Sequence, residues 1–379
     1  MHKVGYYEGY TRRRHEGSAK CRYEEYAECR CEGSAANGVR NNIEAFGGSP
    51  EDVTIFGESA GGWSTSALVV SPMSEGLFKN AIMESGVLQP KDREAAVEFA
   101  AVICKAAGAK TMDDLKAIDG DKWMAIDDEK WYSDECCGIV YDGEVIPYDS
   151  DWEAALQTKI NAGVNIMLGT NADEWNYFVQ DQEGDTMEEM FEVWNASMDD
   201  TIGTFKKTLD DTGKATLDEI MGMLAKEVPE EYAKDKTTKE ALTKSAFITQ
   251  SWRFDHLLFA ERYANLGGNV YFYNWDVPST LEDYYKSSVH AIELPYVFNN
   301  NDAIYSGKID KTAQEKTQKA WTNFAKTGNP SFDDVTWDKW TTADFNTMMI
   351  KKDGWKMEAD PHGTIRELMD SISAYGIVW

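Results

Sequence analysis

Two periodicities alternate along this chain. Short β-branched and aromatic runs read as strands: Val53-Thr54-Ile55-Phe56, Val164-Asn165-Ile166-Met167-Leu168-Gly169 and Asn269-Val270-Tyr271-Phe272-Tyr273-Asn274-Trp275. Between them, apolar positions three and four apart read as helices. Residues 95–107 form one amphipathic helix, which carries Cys104 as an expected core residue. Residues 311–327 form another, stopped by Gly328 with Pro330 just beyond. Residues 176–265 read as a run of helices, with capping-box pairs at Thr186/Glu189 and Thr216/Glu219. Strands alternating with helices give an α/β class, with one catalytic-sized domain and a helical insertion. No internal repeat is present, and no apolar run reaches transmembrane length.

The first strand runs straight into Gly57-Glu58-Ser59-Ala60-Gly61, and a small-residue helix follows from Gly61 to Leu68. A G-x-S-x-G between a strand and a helix reads as a nucleophile elbow. The turn is too sharp for side chains on both flanks, so glycines stand there. Such a turn throws the serine hydroxyl out at the carboxyl end of the strand and points the Ala60 N–H at the same spot. The alternative is an ordinary strand-to-helix turn with an exposed serine.

A serine hydroxyl needs a base to take its proton, and that base needs a carboxylate to orient it. On an α/β-hydrolase scaffold they follow the serine in the order acid, then histidine. Of five histidines, His2 and His15 precede Ser59. His256 has helical spacing and reads as a packed helix residue. His290 lies in a loop after the Asn269–Trp275 strand, where a base fits, and His362 in Asp360-Pro361-His362-Gly363 is the fallback. The acid falls in Thr170-Asn171-Ala172-Asp173-Glu174-Trp175, which leaves the Val164–Gly169 strand. Pattern alone does not separate Asp173 from Glu174.

The stretch from Asn41 to Gly62, NNIEAFGGSPEDVTIFGESAGG, resembles the signature of type-B carboxylesterases, the cholinesterase-like esterases and lipases of the α/β-hydrolase superfamily. Further segments agree in order: Asn80–Gly86 as the next core strand, Val140–Pro147 as the D-G-x-x-x-P loop, Leu168–Glu174 as the acid loop, Val289–Phe298 as the histidine loop, then Phe324–Pro330 and Trp337. The resemblance runs from about residue 39 to the end. It implies a mostly parallel sheet flanked by helices, with Ser59 as nucleophile, Glu174 as acid, His290 as base and the Ala60 N–H as an oxyanion donor. It further implies that Glu58 and Glu293 are buried scaffold carboxylates and that Ser85 supports the triad's hydrogen bonds. In this family the helices between acid and late strand wall the substrate gorge, so Trp175, Tyr177, Phe178, Phe191 and Trp194 are candidates for a pocket wall, the alternative being that they pack the helices.

The family's glycine-rich oxyanion loop, H-G-G-G or a close relative, precedes the nucleophile, and no such run occurs in residues 1–58. The expectation is an N-terminally truncated domain over 39–379 with an open apolar sheet edge. Its oxyanion hole would keep one donor, and one lost donor typically costs ~10²–10³ in rate. Residues 1–38 read as a disordered or foreign leader: their three cysteines, Cys21, Cys29 and Cys31, lack the paired spacing of a zinc site. Cys136 and Cys137 read as adjacent free thiols.

With 66 acidic against 38 basic residues, the net charge of −28 excludes nucleic acid and anionic membrane as partners. The expected activity is hydrolysis of a small-molecule carboxylic ester through an acyl-enzyme, with no metal or organic cofactor. The competing reading is a non-catalytic cholinesterase-like interaction protein or an inactive fragment. Compartment, cytoplasmic or secreted, and oligomeric state stay open.

Overall fold

The computed structural model describes residues 27–90, 93–124, 139–182, 184, 186–281, 286–300 and 307–374. The elements are, in chain order, α1 (Ala27–Asn42), β1 (Thr54–Glu58), α2 (Ala60–Val70), β2 (Asn80–Glu84), α3 (Arg93–Ala107), and the short α4 (Met112–Lys116) and α5 (Gly120–Met124). They continue with α6 (Trp152–Asn161), β3 (Asn165–Asn171), α7 (Met187–Thr208), α8 (Asp211–Glu227), α9 (Lys236–Asn265) and β4 (Asn269–Asp276). The last are α10 (Leu294–Val297), α11 (Lys311–Thr327), β5 (Asn346–Lys351), β6 (Gly354–Ala359) and α12 (Gly363–Ser373). The six strands form one sheet in the order β1-β2-β3-β4-β5-β6. The first five are parallel, and β6 closes the far side antiparallel to β5.

Strand side chains alternate between two cores, as a pleated backbone requires. Ala81, Met83, Ile166, Leu168, Val270 and Phe272 face α2, α6 and the end of α9, where Val69, Leu156, Phe259 and Tyr263 are buried. Ile82, Met167, Tyr271 and Tyr273 face the opposite way, onto Ala320, Trp321 and Phe324 of α11 and onto Val289 and Tyr296. Both faces are covered, so β2 is buried throughout. β1 lies at the sheet edge and is only partly buried; its Phe56 is 47% exposed and pairs with the exposed Phe298 at 5.9 Å. A third core joins α7, α8, α9 and α12 around Phe191, Trp194, Leu217, Ile220, Phe247 and Met369.

Several local expectations change. The Thr186/Glu189 capping box is present. Thr216 instead lies inside α8, because Asp210 caps that helix six residues earlier by accepting from the Gly213 N–H. Cys104 is free and only partly buried, on the rim of α3 and not in the core. α1 spans Ala27–Asn42, and residues 1–26 lie outside the described residues. His2, His15, Cys21, Cys136 and Cys137 lie outside the described residues. Among the described residues no helix is long and apolar enough to cross a membrane.

Candidate active site

Parallel strands deliver their carboxyl ends to one edge of the sheet, and the loops leaving them meet there. β1 ends at Glu58 and turns through Ser59, whose backbone sits at φ 58°, ψ −119° before α2 begins at Ala60. That left-handed conformation is uncommon for a side-chain-bearing residue and marks a sharp turn under strain. The turn is held by neighbouring backbone: the Ser59 N–H donates to Glu84 O at 2.8 Å, and the Trp63 N–H donates to Ser59 O at 3.0 Å. Its closeness requires glycine at Gly57 and at Gly86, whereas Gly61, on the other flank of the serine, has open space where a side chain would go. A methyl on Gly57 would overlap the Gly61 backbone, and one on Gly86, just past β2, would overlap the Ser59 carbonyl.

The loop after β3 delivers Glu174. Asn171 ends the strand, and Glu174 opens a short 3₁₀ turn three residues later. Glu174 is fully buried. Its Oε1 accepts from the Ser85 hydroxyl at 2.5 Å and from the Asn171 N–H at 2.6 Å. Its Oε2 lies 2.6 Å from His290 Nδ1, and its backbone oxygen accepts from the His290 N–H at 3.2 Å. Asp173 turns the other way and accepts from the Ser288 N–H at 2.9 Å. Of the two carboxylates, Glu174 meets the histidine and Asp173 meets the Ser288 backbone.

His290 is 7% exposed, and the Phe178 and Tyr177 rings lie 5.3 and 6.2 Å from it. Its Nε2 lies 3.1 Å from Glu58 Oε1, without the alignment of a directed hydrogen bond. The Ser59 hydroxyl makes no hydrogen bond among the described residues. Burial alone would lower the His290 pKa, but the Glu58 and Glu174 carboxylates outweigh it and push the imidazole up to about 9. Glu58 is itself pushed up, by burial, to about 7, so the two groups compete for a proton. Expected as a buried supporting carboxylate, Glu58 stands directly against His290.

Two more carboxylates sit beneath the elbow. Glu84 accepts from the Trp321 indole N–H at 2.6 Å, and burial pushes its pKa up to about 8. Glu293 accepts from Asn171 Nδ2 at 2.6 Å, and burial raises it well above the ordinary range. Sequence reasoning missed Asn171 and Trp321. The signal for Asn171 is a polar residue at the carboxyl end of an otherwise apolar strand; its side chain bridges Glu293 and the Val289 carbonyl at 2.9 Å.

The other histidines stand apart. His256 is buried on α9 with Nδ1 2.7 Å from Trp252 O, and burial lowers its pKa to about 4. His362 caps α12, and burial lowers it to about 3. Of the aromatic candidates, Trp175 meets Phe178, Trp194 and Trp252, while Phe191 and Trp194 belong to the helical core. Only Tyr177 and Phe178 flank the imidazole. Among the described residues no cluster of His, Cys, Asp and Glu could hold a metal ion.

The carboxylesterase family profile matches residues 34–364. The chain belongs to the carboxylesterase family. This carboxylesterase-family chain is 29% identical over 351 residues to the para-nitrobenzyl esterase of Bacillus subtilis, covering 89% of itself and 65% of that protein. It is 30% identical over 347 residues to the acylcarnitine hydrolase of Mus musculus, covering 85% of itself and 57% of the relative. A solved thermophilic pNB esterase matches with a TM-score of 0.67 at 25% identity, over 89% of this chain and 67% of that one. The mostly parallel, helix-flanked sheet is the α/β-hydrolase fold. The chain spans less than two-thirds of the length of the two curated relatives.

Proposed function

We propose that this chain is a serine hydrolase of carboxylic esters that works through an acyl-enzyme on Ser59. The observation that carries the reading is the buried Glu174–His290 pair, 2.6 Å apart, set on loops beside the strained Ser59 turn. His290, once neutral, takes the Ser59 proton as the hydroxyl oxygen attacks the ester carbonyl. The oxyanion forms against the Ala60 N–H at the start of α2, where the helix leaves amide donors unused by its own ladder. His290 then protonates the departing alcohol, and a water activated by the same imidazole releases the acid. Glu174 fixes the imidazole with Nδ1 protonated, and Ser85 and the Asn171 N–H hold Glu174 in place. The names of the relatives, para-nitrobenzyl esterase and acylcarnitine hydrolase, support a small-molecule ester as substrate.

The test is fluorophosphonate labelling of the purified chain, with the modified peptide located by mass spectrometry. The expected result is a single adduct on Ser59 that disappears in Ser59→Ala and weakens at least about tenfold in Glu174→Gln. Absence of an adduct on a chain that melts cooperatively overturns the proposal and favours a non-catalytic protein, while an adduct that survives Ser59→Ala overturns it by placing the nucleophile elsewhere.

A further inference from the structure

Between the helical subdomain and the sheet lies a cavity of about 300 Å³ that the reaction above does not use. Ser59, Glu174 and His290 do not line it; Asp173 and Asn176 do, so the acid loop forms the partition between the two places. One end is apolar, formed by Leu224, Val228, Leu242 and Ala246 of the α8–α9 region. The other end carries Arg253 of α9.

Arg253 is 4% exposed and, among the described residues, has no carboxylate within ion-pair distance; its Nε meets no acceptor. Asp360, whose charge it feels, is already gripped by Arg366 through contacts of 3.0, 3.1 and 2.7 Å. The acids on the cavity wall do not answer the charge either. Asp276 pairs with Lys351 at 3.2 Å, Asp173 accepts from the Ser288 N–H, and Glu227, whose pKa burial raises, makes no ion pair with Arg253 among the described residues. Burial lowers Arg253 itself to about 10, so it is still a cation at neutral pH. A guanidinium withdrawn from water without a counter-charge is costly, and planar carboxylate is the group its fork matches best. The volume is that of a small ligand site.

We propose that this cavity binds a small amphipathic monocarboxylate, its carboxylate on the Arg253 guanidinium and its hydrocarbon tail against α8 and α9. A straight six-carbon acid has the charge and the apolar length for the two ends. The inference does not depend on ester hydrolysis, and its readout needs no turnover.

The test is calorimetric titration of the full chain with sodium hexanoate, using hexan-1-ol as the uncharged control. Saturable hexanoate binding is expected, weakened at least about tenfold by Arg253→Gln because a charge-assisted bidentate contact is lost. Hexan-1-ol is expected not to saturate. Ala246→Trp blocks the apolar end while leaving Arg253 in place, and is expected to abolish binding; it decides the matter if Arg253→Gln does not fold. Ser59→Ala is expected to bind hexanoate as the parent does. No saturation up to about 10 mM, a range that would capture even a weak millimolar site, overturns the proposal. So does equal binding of hexan-1-ol, or hexanoate affinity unchanged in Ala246→Trp.

Discussion

Glu58→Gln should release His290 from its grip on the proton. The carboxylate lies 3.1 Å from Nε2 and heads the influences that raise the imidazole. At that distance and an effective dielectric of about 20, a full ion pair is worth about 5 kcal/mol, the equivalent of roughly four pKa units. Burial offsets much of this, leaving His290 at about 9. The amide keeps the shape and removes the charge, while Glu174 stays in place. His290 should therefore titrate at least about one unit lower in the variant. The direction for catalysis follows: a general base works deprotonated, so the rising limb of the pH–rate profile moves to lower pH. The direct assay is histidine-selective carbon-13 NMR across pH 5 to 10, with His290→Gln assigning the resonance, so the result does not depend on turnover. An imidazole that titrates at the same pH or higher in Glu58→Gln would refute the reasoning.

Gly86→Ala should cost at least about 2 kcal/mol, because its methyl meets the Ser59 carbonyl, which is backbone and cannot swing aside; fluorophosphonate labelling of Ser59 should fall with the melting temperature. Trp321→Phe should lower stability by about 1–3 kcal/mol in urea unfolding at pH 7, since it strips the donor from the buried Glu84 oxygen. Between pH 7 and 8, above the range in which the buried His256 and His362 titrate unfolded, the chain should lose stability as pH rises. Glu84, at about 8 against an ordinary 4.5, and His290, at about 9 against 6.5, both bind protons more tightly folded than unfolded. Their contribution is complete below the unfolded values and drains away toward the folded ones, at up to roughly 1.4 kcal/mol per pH unit for each group. Urea midpoints measured across that window check it, and Glu84→Gln should flatten the slope.

What was legible in the sequence was local or carried by motif. The strand, elbow and helix around Ser59 follow from a β-branched run, two glycines and small residues, and the structure sets Ser59 at a positive φ between β1 and α2. Asp173 against Glu174 was not legible from pattern, and only the resemblance to the family pointed to Glu174. Both follow the same strand, and their opposite directions depend on where Ser288 and His290 arrive from a loop more than a hundred residues later. Glu58 illustrates the same limit. Its neighbour in sequence is the serine, but its neighbour in space is the histidine, and only the fold brings them together. Thr216 failed for a different reason: the Thr-x-x-Glu spacing was present, but an aspartate six residues earlier had already started the helix.

The order of strands in the sheet is the order of strands in the chain. Each new strand can therefore add to the one made just before it, with no gap left for a later strand to invade. Such growth suits a chain emerging from the ribosome, since closure entropy rises only slowly with the length of each crossover. Ser59 and Ser85 come within reach of each other as soon as β2 pairs with β1, and Glu174 joins when β3 docks. His290 arrives only after α7, α8 and α9 have been made and β4 has paired with β3. The imidazole is thus the last of these groups to be made, and a nascent chain stalled before β4 holds Ser59 and Glu174 without His290.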